Sequence, residues 1–173
     1  MISGLPYDGK VMLKINSFGK QLKVRLRKPT WSDEMFENEQ DGYLIYEGVF
    51  DDETVELDFK PSLKTVFCDS RVYDNTGKVA FSYGPLILCA EEEDNPFPLS
   101  GVSVFGEKGK TTIQYGSPYV LQAEVPAEYM SPQDSLYSFV RQKKTGFTLK
   151  LIPYFAWANR KEGDMRVWFV ERY

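Results

Sequence analysis

No stretch of this chain carries a helical apolar repeat, about 3.6 residues in period, over several turns. What recurs is alternation. Val11, Leu13 and Ile15 point one way, and Lys10, Met12, Lys14 and Asn16 point the other. Leu22, Val24 and Leu26 alternate in the same manner with Lys23, Arg25 and Arg27. Pro29 closes that run because it has no amide to donate to a ladder. Ser17-Phe18-Gly19 supplies a turn, so a hairpin of 10–16 with 22–27 is predicted. A second hairpin is predicted from Tyr43–Phe50 and Thr54–Lys60 about Asp51-Asp52, with Val55, Leu57 and Phe59 inward. The outward face is basic in the first hairpin and, at Glu56 and Asp58, acidic in the second. These faces either form cross-strand ion pairs, each contributing about 0.2–1 kcal/mol, or lie solvated.

Further turn signals stand at Pro61, Asp74-Asn75-Thr76-Gly77 and Gly84-Pro85. They separate strands expected at 63–68, 71–73, 78–83 and 86–90. Leu86-Ile87-Leu88-Cys89-Ala90 is continuously apolar and is expected to be buried on both faces. Glu91 to Pro98 reads as a polar connector. Strands follow at 102–105, 111–115 and 119–125, with a hairpin turn at 106–110 and a loop at 126–132. The runs 136–141, 147–152 and 165–171 complete the pattern. The aromatic tail from Leu151 to Trp168 reads as two strands joined by a polar turn. The expected fold is therefore all-β, an antiparallel β-sandwich or jelly roll. Two small sandwich-like units are predicted, 1–67 and 68–173.

Composition narrows the function. A formal net charge of −4 argues against a nucleic-acid partner, whose phosphates require a basic footprint. No run approaches the roughly 18 apolar residues of a membrane-crossing helix. Met1-Ile2-Ser3-Gly4-Leu5 lacks the pattern of a signal peptide, so a cytoplasmic location is expected. The chain has no histidine. That removes Ser-His-Asp and Cys-His catalysis and histidine-containing metal sites. Cys68 and Cys89 sit in apolar strand-like runs and read as buried free thiols, with a disulfide or a reactive thiol as the alternative. There is no P-loop, dinucleotide fingerprint or metal-ligand cysteine spacing.

Three groups of residues could carry chemistry. Glu91-Glu92-Glu93-Asp94 is the densest carboxylate cluster. A glycosidase needs two carboxylates about 5–9.5 Å apart. On a strand Glu91 and Glu93 could share a face, but a solvated connector explains the cluster as well. Trp31, Trp157 and Trp168 could stack on sugar rings. Trp157 and Trp168 read more simply as core, which leaves Trp31, at a strand end, as the exposed candidate. Asn159 and Arg160, with Arg166 nearby, could bind a carboxylate or a partner surface, or could satisfy their own turn.

Several of these segments together resemble one enzyme family. The tail Ile152-Pro153-Tyr154-Phe155-Ala156-Trp157-Ala158-Asn159-Arg160, followed by Gly163-Asp164-Met165-Arg166-Val167-Trp168, is similar to the "IPYYAWANRG.GEM.VW" ending of the β-L-arabinofuranosidase-type glycoside hydrolases, family 127. Gly77 to Glu91 resembles that family's "GRVALQRGPLVYCLE", with Tyr83 in place of the usual Arg. Tyr7-Asp8-Gly9-Lys10, Arg25 to Trp31 and Asp41-Gly42-Tyr43 match in order as well. The resemblance implies a bacterial hydrolase whose α-helical catalytic barrel precedes two β-sandwiches, the second of which helps form a homodimer. Enzymes of the family hold a cysteine nucleophile on zinc through Glu-x-Cys and Cys-Cys motifs, with a glutamate as acid/base. This chain has neither motif, so no catalytic residue carries over and no cofactor is expected in it. The implied role is a non-catalytic region supporting the barrel. The alternative is a carbohydrate-binding module using Trp31, Trp157, Asn159 and Arg160.

Overall fold

A computed structural model describes residues 1–106, 109–113 and 120–172. The chain divides into Met1–Pro61 and Ser62–Tyr173. The boundary predicted at 67 is corrected, because Leu63–Phe67 pairs along its length with Lys78–Tyr83 and belongs to the second unit.

The first unit contains β1 (Ile2–Ser3), β2 (Lys10–Ile15), β3 (Leu22–Arg27), β4 (Glu39–Gln40), β5 (Tyr43–Gly48) and β6 (Glu53–Asp58). They form two three-stranded antiparallel sheets, ordered β1-β2-β6 and β3-β5-β4. Neither predicted hairpin forms. β2 pairs with β6, from Lys10↔Asp58 to Ile15↔Glu53, and β3 pairs with β5, from Leu22↔Gly48 to Arg27↔Tyr43. Alternation states which face a strand buries, not which strand lies beside it. Each connection instead crosses between sheets, and the two crossings are tied together. The Ser17 amide and hydroxyl donate to the Phe50 carbonyl (2.8 and 3.2 Å), and the Phe50 amide donates back to Ser17 Oγ (2.9 Å). The basic face of β3 consequently finds its partners within its own sheet: Lys23 pairs with Glu47, and Arg25 lies over the Tyr43 ring at 4.3 Å. Leu44, Leu57 and Phe59 are buried at the centre, with Leu5, Val11, Leu26 and Phe36 packed around them.

The second unit contains β7 (Leu63–Phe67), β8 (Lys78–Tyr83), β9 (Leu86–Glu91), β10 (Val102–Phe105), β11 (Lys110–Ile113), β12 (Leu121–Met130), β13 (Lys144–Pro153), β14 (Met165–Arg166) and β15 (Phe169–Arg172). Pairing runs β9-β13-β12-β10-β15-β8, and β8 also pairs with β9, so the path returns to its start. β7, β11 and β14 attach to β8, β12 and β9 respectively. Among the described residues, all pairings in this unit are antiparallel except that of β10 with β15. Gly84-Pro85 makes the tight β8–β9 turn, with Gly84 at φ 51°. Inside lie Val79, Phe81, Leu88, Leu99, Val104, Leu121, Val125, Leu149, Leu151, Ile152 and Phe169, all essentially inaccessible. Burial of such a side chain contributes roughly 1.5–3 kcal/mol.

Three expectations are corrected here. The loop predicted at 126–132 is strand as far as Met130. Pro126 is tolerated because it falls between the stretch of β12 that pairs with β11 and the stretch that pairs with β10. The predicted turn at 106–110 falls partly outside the described residues, and β10 and β11 do not form a hairpin but both run along β12. The strand predicted at 136–141 is an open loop, with Leu136, Tyr137, Phe139 and Val140 all exposed.

Candidate functional site

The continuously apolar run of β9 decides where the polar residues meet. Leu88, Cys89 and Ala90 are buried, and Glu91, next in the strand, is drawn inside with them at 6% exposure. Glu92–Asp94 then turn as a short 3₁₀ segment, so the strand alternation that could put Glu91 and Glu93 on one face ends at Glu91. Asn95 fastens the far side of the turn. Its side chain donates to the Glu91 and Lys150 carbonyls (2.8 and 3.1 Å) and accepts from the Lys150 amide (2.9 Å).

The tail returns onto this corner. β13 ends at Pro153, and Tyr154–Ala156 form a 3₁₀ turn where a strand was predicted. In that turn only Ala156 points inward, packing with Cys89 and Ile152. Tyr154, Phe155 and Trp157 are thereby turned out, at 48%, 61% and 40% exposure. Trp157 is therefore not core; its ring lies over that of Tyr154, with centroids 6.3 Å apart and planes 23° apart. Ala158 adopts φ 61°, a left-handed conformation that costs a non-glycine residue about 1–2 kcal/mol. This bend aims the Ala158 amide at Glu91 Oε1, 2.8 Å away. The Asn159 side chain donates to the Ala156 carbonyl (3.0 Å), within its own turn.

Arg160 then closes the knot. Its guanidinium forks onto Asp94 (2.9 and 2.7 Å) and also pairs with Glu91. Both Glu91 oxygens and both Asp94 oxygens thus accept hydrogen bonds from within the chain. Planar, two-pronged arginine–carboxylate contact of this kind combines charge with fixed geometry. Outside it, Lys161 pairs with Glu93 (3.0 Å), and the Glu92 amide donates to the Asp164 carbonyl (3.0 Å). The sequence presents the acidic cluster and Asn159-Arg160 as separate candidates, whereas the fold makes them one structure. The signal for it is Glu91 itself: a carboxylate continuing a buried apolar strand needs a cation brought to it.

Trp31, the candidate for an exposed aromatic, is half-buried in the first unit. It meets Phe59 edge-on at 6.3 Å and packs against the Leu44–Leu57–Phe59 cluster. Both cysteines are unpaired; Cys89 is buried, while Cys68 is only partly so, with its thiol donating to the Asp69 carbonyl (3.1 Å). Burial, then the nearby Glu91 and Asp94 carboxylates, push the Cys89 thiol up to about 12. That is the reverse of what a zinc ligand or a nucleophile requires, since both act as the thiolate. Among the described residues, no three His, Cys, Asp or Glu side chains are grouped to hold a metal. No helix among the described residues is long and apolar enough to cross a membrane.

Fold and corner together define an all-β module whose tail is locked down by a buried arginine–carboxylate knot. Residues 63–170 match the C-terminal domain model of glycoside hydrolase family 127, and the chain belongs to that family. It is 31% identical to the non-reducing end β-L-arabinofuranosidase of Bifidobacterium longum, over 95% of this chain but 29% of the relative. A crystal structure of a family 127 β-L-arabinofuranosidase from Geobacillus stearothermophilus superposes with a TM-score of 0.90 at 26% identity, covering 99% of this chain and 30% of that one. A second family 127 β-arabinofuranosidase gives 0.86 at 26% identity, again over 99% of this chain and 31% of the other. The chain thus spans less than a third of the length of these relatives.

Proposed function

We propose that this chain is the non-catalytic C-terminal β-sandwich region of a β-L-arabinofuranosidase-like hydrolase, and that it supports the catalytic part of the enzyme. One observation carries the reading. The most convergent polar group, Glu91 with Asp94, is engaged by Arg160 and the Ala158 amide rather than presented to a cleft. A glycosidase acid and its partner must instead flank a bound sugar. Zinc, and the cysteine it would hold, belong on this reading to the catalytic part. So does sugar specificity. On the same reading, this region also helps the enzyme dimerise. A cytoplasmic location is supported by two unpaired cysteines, which suit a reducing compartment.

Hydrolysis of an aryl β-L-arabinofuranoside by the full-length enzyme, and none by this chain alone, is the expected result. Turnover by the isolated chain at a comparable rate would refute the assignment.

A second reading has a specific observation behind it. Tyr154 and Trp157 form an exposed, stacked aromatic surface of the type that accepts the apolar face of a sugar. If it binds arabinose-containing oligosaccharides, Trp fluorescence saturates at sub-millimolar ligand and Trp157→Ala abolishes the change. An unaltered spectrum across the panel leaves the supporting role alone.

A further inference from the structure

The loop joining β12 to β13 concentrates apolar side chains in water. Leu136 is 97% exposed, Tyr137 93%, Phe139 112% and Val140 74%. The loop has bonds of its own: the Ser131 amide donates to the Lys143 carbonyl (3.2 Å), and the Val140 amide donates to Ser138 Oγ (3.0 Å). It stands at the end of two ten-residue strands paired from Ala123↔Leu151 to Met130↔Lys144. Behind the tip, Glu128 engages Lys144 at 2.7 Å, while Arg141 and Lys143 have no ion pair among the described residues. A compact cluster of exposed large apolar groups marks a surface that something covers.

We propose that this arm, residues 131–143, docks into an apolar, acid-rimmed recess on the catalytic part of the same polypeptide. The inference rests on the supporting role argued above and adds the element that makes the contact. The relatives extend well beyond the segment matched here, and a tethered partner acts at an effective concentration near millimolar. An anionic membrane is disfavoured, because such surfaces are held by clusters of about 4–8 cations and the tip offers only Arg141 and Lys143, with Asp134 before them.

The test uses the full-length enzyme carrying Tyr137→Cys. Labelling of this cysteine by a maleimide is timed in the native and the denatured protein. The expected result is at least tenfold slower labelling in the native enzyme, with the protection lost when Leu136→Ser and Phe139→Ser are added. Labelling at the denatured rate overturns the proposal. So does protection that appears only at high protein concentration, which indicates a second copy, or only with anionic vesicles, which indicates a membrane. Deleting residues 1–173 of this region separates the two readings. If deletion lowers the Tm of the enzyme but the arm substitutions change neither Tm nor labelling, the arm proposal alone fails. If deletion leaves the Tm unchanged, the supporting role fails with it.

Discussion

The Arg160 side chain is 26% exposed, yet the side chains of its partners Glu91 and Asp94 are 7% and 11% exposed. Its removal leaves a carboxylate inside the protein without its cation. Breaking a buried pair in this way costs about 3–5 kcal/mol, and the partial exposure of Arg160 sets the expectation at the lower end. Arg160→Ala should therefore lower the denaturant midpoint by the equivalent of about 3 kcal/mol; a shift below about 1 kcal/mol would show that water replaces the guanidinium at little cost. Cys89 gives a second prediction. Its folded-state pKa of about 12 lies above the ordinary 9.0, so on raising pH the unfolded chain releases the proton first. The stabilising contribution is complete below about pH 9 and declines toward pH 12, by at most about 1.4 kcal/mol per pH unit. Cys89→Ala should flatten this alkaline loss, and a thiol reagent should modify Cys68 but not Cys89 in the native protein. The burial of Cys89 was legible from the apolar run around it. The knot was not, because Arg160 returns from 69 residues away and nothing local to Glu91 names its cation.

At the scale of elements, most strands were legible because alternation leaves little choice of conformation. Their partners were not. β2 and β3 alternate as a hairpin would, and Ser17-Phe18-Gly19 supplies a turn, with Phe18 and Gly19 at φ 49° and 77°. The deciding contact is instead between Ser17 and Phe50, on two connections far apart in sequence. Ser17 is buried, and its hydroxyl serves the Phe50 amide and carbonyl together. Ser17→Ala strands the Phe50 amide, while the Phe50 carbonyl keeps the Ser17 amide, and about 1–3 kcal/mol of stability should be lost in equilibrium unfolding. Retention of full stability would mean that packing and the backbone bond from residue 17 to the Phe50 carbonyl suffice to hold the crossings. The run 136–141 failed for the opposite reason. Its apolar content resembles a strand, but composition cannot tell a side chain that faces the core of its own unit from one that faces outward.

At the scale of the whole molecule, an all-β architecture followed from turn spacing and the lack of helical periodicity, and membership of the hydrolase family followed from several motifs in order. The position of the unit boundary required knowing that Leu63–Phe67 pairs with Lys78–Tyr83, a fact about pairing and not about propensity. The returning path of strand pairs in the second unit bears on how the molecule is made. Its last link, β15, lies between β8 and β10 and comprises Phe169–Arg172. A nascent chain halted anywhere before Phe169 has both of those edges open, ready to add a foreign strand. The unit can close only once these residues have cleared the ribosome, so the interval just before then is when the growing polypeptide most needs a chaperone.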